Sequence, residues 1–109
     1  MHFIALFFAG LFLCNSIPHT IAGLQGTPFP SPFAKPPGIG DSSPVVNFLW
    51  GALNFLIGIL LLSIHPITVG FNAGFLTLFA GALAIGTPMS RHFGKVRSRK
   101  NPPSPLPLL

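Results

Sequence analysis

Three long apolar segments constrain this chain more than any other feature. They cover residues 3–24, 44–64 and 67–86, and each holds about 20 residues, enough for a helix to cross the hydrocarbon core of a bilayer. Between Met1 and Ser90, only Lys35 and Asp41 carry a formal side-chain charge. The sequence therefore predicts an all-α fold, a small helical membrane protein with three transmembrane helices.

Composition excludes a soluble domain. Half of the 109 residues are hydrophobic and only 6% are charged, so the chain has too few polar side chains to cover a water-facing surface. We predict one transmembrane domain over residues 1–88, with a Pro-rich loop at 25–43. A basic, Pro-rich tail over residues 89–109 is expected to be disordered.

The basic residues predict the orientation. Five of the six Lys and Arg residues follow the last apolar segment: Arg91, Lys95, Arg97, Arg99 and Lys100. Cations beside a span favour the cytoplasmic side and attract anionic lipid headgroups by about 1 kcal/mol each. We therefore expect a multi-pass protein of the inner (plasma) membrane with a cytoplasmic C-terminus. Nucleic acid is not an expected partner, because the rest of the chain is too apolar to remain in solution beside it.

The first segment has two interpretations. The apolar run 3–14 is followed by Asn15, Ser16, Pro18 and His19, which is typical of a signal peptide, and a cleavage site near Ala22 would leave a two-span protein. However, no Lys or Arg precedes the run, and cleavage would put the basic tail outside. Three retained spans are favoured, with the N-terminus outside.

The loop and the second segment carry clear local signals. Alternating prolines in the loop disfavour a helix, and Phe29 and Phe33 indicate either packing against the bundle or a rigid spacer. Ser43 and Pro44 are typical of a helix start, and Pro66 of a helix end. Segments two and three are therefore predicted to form a tight antiparallel hairpin.

Small and polar residues recur on one face of each of these two segments. In the second segment they are Asn47, Gly51, Asn54 and Gly58, and in the third they are Gly70, Gly74, Thr77, Gly81 and Ala84. Small residues let helices approach closely, and amide side chains hydrogen-bond across the contact. We predict that these two faces pack together or that one joins another subunit; a polar path for a substrate is the alternative.

One polar cluster is predicted inside the membrane. Asn15 and His19 lie four residues apart on the first segment, at a depth comparable to that of Asn47 and Asn54. These four residues are expected to converge in the cytoplasmic half of the bundle, with Trp50 nearby. A hydrogen-bonded structural role is favoured over a proton-shuttling or metal-binding His19.

The sequence contains few residues typical of catalysis, metal binding or phosphate binding. No Asp or Glu lies in a span, no nucleophile has a positioned base and orienting group, and no zinc-ligand set or phosphate loop occurs. We expect no enzymatic activity, cofactor or metal, and an enzyme that uses His19 is the weakest alternative.

Several stretches resemble a group of small uncharacterised bacterial integral membrane proteins. They are Ile17-Pro-His, Pro28-Phe-Pro-Ser-Pro-Phe-Ala, Pro36-Pro-Gly-Ile-Gly and Ser43-Pro-Val-Val-Asn-Phe-Leu-Trp-Gly. The resemblance covers roughly residues 10–65; it implies a bacterial inner-membrane protein that retains its first segment, and it implies no catalytic role. The expected function is a non-enzymatic accessory or scaffold subunit that self-associates or joins a larger membrane protein. A small oligomeric transporter or channel is the alternative.

Overall fold

The computed structural model describes residues 2–101 and contains three long helices. They are α1 (His2–Gln25), α2 (Pro44–Ile64) and α3 (Ala73–Lys100), and each is long and apolar enough to cross a membrane. The predicted fold class is confirmed. The loop between α1 and α2 adds a short antiparallel pair, β1 (Phe29–Pro30) and β2 (Asp41–Ser42), in which Phe29 lies opposite Ser42.

Helix α1 is the centre of the bundle. It packs against both α2 and α3, whereas α2 and α3 make little contact with each other. The residues that α1 buries are Leu6, Ala9, Gly10, Ser16, His19 and Ala22. The prediction that the second and third segments pack together as a tight hairpin is therefore wrong: the Asn/Gly face of α2 packs against α1.

Glycines allow both contacts with α1 to be close. A Cβ atom added to Gly10 would overlap the carbonyl oxygen of Leu78, and one added to Gly81 would overlap that of Phe7. On the other side, a Cβ atom at Gly51 would overlap Thr20 of α1. At these crossings backbone lies directly against backbone, so any side chain there would separate the helices.

The start of α3 differs from the prediction. Asn72 caps the helix, with its Oδ1 accepting from the Phe75 amide at 2.9 Å, so the helix begins after the predicted start of the segment at residue 67. Gly70 therefore lies outside the helix, exposed, with a φ of 154°, and it does not share a packing face with Gly74. Thr77 donates to the Ala73 carbonyl at 2.7 Å within its own helix.

The second helix agrees with its sequence signals. The Ser43 side chain accepts from the Val46 amide at 3.2 Å, Pro44 is the first helical residue, and His65 closes the helix with its amide bonded to the Leu61 carbonyl. Helix α2 therefore begins and ends where these local signals predict a helix to begin and end.

Helix α3 continues well beyond the apolar segment. It passes through Pro88 and ends at Lys100, so the expectation of disorder from residue 89 is wrong as far as residue 100; residues 102–109 lie outside the described part of the chain. Its last turn carries Arg97, Arg99 and Lys100, and cations there interact favourably with the negative end of the helix dipole. One side of this extension packs against the loop, where Val96 is buried.

Candidate functional site: a polar cluster at the loop end of the bundle

The four residues of the predicted cluster meet at the α1–α2 interface as two hydrogen-bonded pairs. Asn15 Nδ2 donates to Asn54 Oδ1 at 3.1 Å, and His19 Nδ1 lies 2.8 Å from Asn47 Oδ1. The side chains of His19, Asn47 and Asn54 are buried. The His19–Asn47 pair lies in the half of the bundle next to the loop, and the Asn15–Asn54 pair lies near the middle of both helices.

Asn47 joins α1, α2 and the loop at one point. Its Nδ2 lies 2.8 Å from the Phe29 carbonyl oxygen and 3.2 Å from those of Ser42 and Ser43. A carbonyl oxygen can only accept, so Nδ2 faces these groups and Oδ1 faces His19. His19 Nδ1 therefore carries a hydrogen and donates it to Asn47 Oδ1.

The second pair is anchored in the same way. Asn54 Nδ2 donates to the Trp50 carbonyl one turn earlier in α2 at 2.8 Å, while its Oδ1 accepts from Asn15. The amide of Asn54 is thus used on both sides, once within α2 and once across to α1. Such bonds hold two helices in register in an environment that offers no water.

Aromatic rings enclose the His19 side chain. Its ring centroid lies 5.4 Å from that of Phe29, 6.3 Å from that of Phe93 and 6.5 Å from that of Trp50, all edge-on. Phe93 also contacts Phe29, with ring centroids 4.7 Å apart. Sequence reasoning missed Phe93 because it stands in the basic stretch. Its spacing of three from Val96 was the available sign of a packed helix face.

The loop is docked against the bundle and does not act as a free spacer. The His92 Nε2–H donates to the Gly38 carbonyl at 2.7 Å, and Lys100 forms an ion pair with Asp41 at 2.9 Å. The ring of Phe33 meets that of Trp50 edge-on at 5.2 Å. These contacts place the loop and the basic end of α3 at the same end of the molecule.

A cavity of about 490 Å³ opens beside the cluster. Its lining includes Asn15 and His19 from α1, Ser31 from the loop and His92 from α3. At the opposite end of the bundle, His2 and His65 face each other with their Nδ1 atoms 3.2 Å apart. Within residues 2–101, no three His, Cys or acidic side chains come together as a possible metal site.

The remaining predicted residues fall into two sets. Gly51, Gly58 and Gly81 lie at contacts with α1, and Gly74 lies near Leu6. The five cations of the basic stretch are exposed along α3. Within the described residues, only Lys100 among them forms an ion pair.

Comparison with known protein families, with curated proteins and with solved structures found no match to this chain.

Proposed function

We propose that this protein is a non-enzymatic accessory or scaffold subunit of a membrane assembly. The observation that carries the proposal is that the side chains of the polar cluster are already occupied by hydrogen bonds within the chain. Three of its four side chains are buried, and its amides bind backbone carbonyls, each other and His19. Groups engaged in this way stabilise a bundle and are poorly placed to coordinate a passing substrate.

The third helix leaves room for a partner. In its most apolar window only 6% of residues are buried within the chain, compared with 28% in α1. Leu76, Phe79 and Leu83 are exposed along it. A second copy of the chain or a larger membrane protein could cover this face, and the remaining contact would be lipid.

Orientation is part of the proposal. The loop and the basic end of α3 lie at one end of the molecule, joined by the Lys100–Asp41 ion pair. The excess of Lys and Arg at that end favours the cytoplasmic side of an inner (plasma) membrane. The N-terminal end of α1 would then face outside.

Retention of the first segment also belongs to the proposal. The central position of α1 supports it, because α2 and α3 make little contact without it. A cleaved two-span protein would lose His19 and Asn15, the α1 partners of Asn47 and Asn54. The Oδ1 atoms of both amides would then lack these partners in hydrocarbon, which is unfavourable.

The experiment is mild extraction of the natively expressed, C-terminally tagged protein, with particle mass and composition measured together. We expect stoichiometric recovery of a different membrane protein or a stable particle built on α3 contacts. A matched Leu83→Asn variant should release that partner while keeping the helical content. Recovery as a single chain at native expression levels would contradict the proposal.

The cavity beside His19 favours one alternative, a small oligomeric transporter or channel. His19 and His92 both line it, and it lies at the loop end of the bundle. A His19→Gln variant keeps a hydrogen-bond donor for Asn47 but removes the titratable ring. Loss of solute or proton flux from reconstituted vesicles, with an unchanged melting temperature, would favour the transporter; no flux in the wild-type protein would exclude it for the solutes tested.

A further inference from the structure

Two histidine side chains meet at the end of the bundle opposite the loop. His2 lies at the start of α1 and His65 closes α2, and their Nδ1 atoms are 3.2 Å apart. The ring centroids lie 5.2 Å from each other, with the ring planes inclined at 56°. Two helices therefore present the same ring nitrogen to each other.

The separation of the two nitrogen atoms fits a shared metal ion. A Zn²⁺ ion binds a histidine nitrogen at about 2.0–2.1 Å, so two such bonds at a tetrahedral angle place the nitrogen atoms about 3.3 Å apart. The observed 3.2 Å agrees with this value. A hydrogen bond between the rings uses the lone pair of one Nδ1 atom only, whereas a metal ion uses both.

The two helices hold the histidines in place. The amide of His65 is bonded to the Leu61 carbonyl at 2.8 Å, which fixes its backbone at the end of α2. The ring of His2 lies edge-on to that of Phe3, with centroids 5.4 Å apart, and α1 packs against α2. Ligands carried by packed helices are positioned more precisely than ligands on loops. The histidines are 63 residues apart in the chain, so no local spacing in the sequence indicates the pair.

The surroundings of the pair determine which ion it suits. His2 is exposed and His65 is half-buried, so an ion can reach them from water. No Lys, Arg, Asp or Glu occurs in residues 2–34 or 42–90, so this end of the helices has no charged side chain to repel a cation. It has no carboxylate either, because Asp41 is paired with Lys100 near the loop. Imidazole ligands without carboxylates suit zinc, copper or nickel, whereas magnesium and calcium require oxygen ligands.

We propose that His2 and His65 bind one divalent transition-metal ion of the Zn²⁺ class through their Nδ1 atoms, with water completing the coordination. Each ring then carries its hydrogen on Nε2, as a neutral imidazole bound through Nδ1 must. The ion joins the start of α1 to the end of α2. The inference rests on the retention of the first span, which is part of the proposed function, because a chain cleaved near Gly23 lacks His2. It does not depend on the accessory role.

Zinc titration of the full chain in detergent, carrying a C-terminal tag without histidine, tests the site. The intact mass is measured first, then zinc binding by calorimetry and thermal unfolding by circular dichroism. We expect one zinc ion per chain and a melting temperature about 5 °C or more above that of the chelator-treated protein. Mg²⁺ should produce no such rise, because both protein ligands are nitrogen atoms.

Histidine variants locate the ion. His2→Ala and His65→Ala should each weaken zinc binding about tenfold or more and abolish the rise in melting temperature. The matched control is His92→Ala, which removes a histidine from the loop end and should bind zinc within about twofold of wild type. Each variant is compared with its own chelator-treated sample, so a change in basal stability does not affect the result.

The outcomes separate the two proposals. A mass that begins near Gly23 would overturn both the retained span and the metal site. With the mass intact, melting that zinc does not affect would overturn the metal site alone. So would loss of binding in His92→Ala but not in His2→Ala, or two chains per zinc ion with a doubled particle mass.

Discussion

Asn47 makes more contacts between separate elements than any other polar side chain described above. It bonds to His19 of α1 and lies within hydrogen-bond distance of the carbonyl of Phe29 in the loop. We expect Asn47→Ala to lower the free energy of unfolding by about 2–4 kcal/mol, because each buried polar group left without a partner costs about 1–3 kcal/mol.

Thermal unfolding in detergent, followed by circular dichroism, measures the effect. Asn101→Ala is the matched control, because Asn101 is exposed at the end of α3. A melting temperature for Asn47→Ala equal to that of the control would show that the junction contributes little.

Two glycines of α3 give a second prediction for single residues. Gly81→Ala places a Cβ atom on the Phe7 backbone of α1, whereas Gly94→Ala meets no atom within 4 Å. We expect the first to destabilise the protein by about 1–3 kcal/mol through overpacking, and the second to be neutral or to stabilise α3 by up to about 1 kcal/mol. The same melting experiment compares them, and a neutral Gly81→Ala would contradict the close α1–α3 crossing.

The polar cluster could be predicted from the sequence, whereas its aromatic enclosure could not. Asn15 and His19 are four residues apart on one segment, and Asn47 and Asn54 are seven apart on another; helix periodicity and depth in the membrane are enough to bring them together. Phe93 reaches His19 only because α3 continues as a helix beyond the apolar segment, and local hydropathy carries little information about that continuation.

At the scale of the elements, the docking of the loop depends on the extension of α3. Phe93→Ala removes the ring that contacts both Phe29 and His19. The amide of Gly38 is bonded to the Ser31 carbonyl at 2.8 Å, and its hydrogen exchange reports whether the loop stays folded. We expect the variant to accelerate that exchange by about tenfold or more through local opening.

Arg91→Ala is the control for this experiment, because Arg91 lies on the opposite side of α3 from Phe93. It should leave the exchange of the Gly38 amide unchanged. If Phe93→Ala also leaves it unchanged, the loop holds its own structure without the helix.

The elements differ in how far their ends could be predicted. The start of α2 follows from Ser43 and Pro44, whose cap and fixed φ act locally. The start of α3 depends on the Asn72 cap. Hydropathy did not indicate this start, because the apolar run begins earlier, at residue 67. The pairing of α2 with α1 was also beyond local signals, since a small-residue face indicates a close contact and does not specify its partner.

At the scale of the whole molecule, the bundle depends on the central position of α1. Both other helices pack on it, and the buried amides of α2 find their partners there. Removal of the first 22 residues would leave α2 and α3 with little mutual contact. The bundle is therefore expected to exist only with its first span in place.

The intact mass of the natively expressed, C-terminally tagged protein tests this claim most directly. We predict a mass that includes residues 2–25, recovered from the membrane fraction. A mass that begins near Gly23 would contradict it, because the central helix would then be absent from the mature protein.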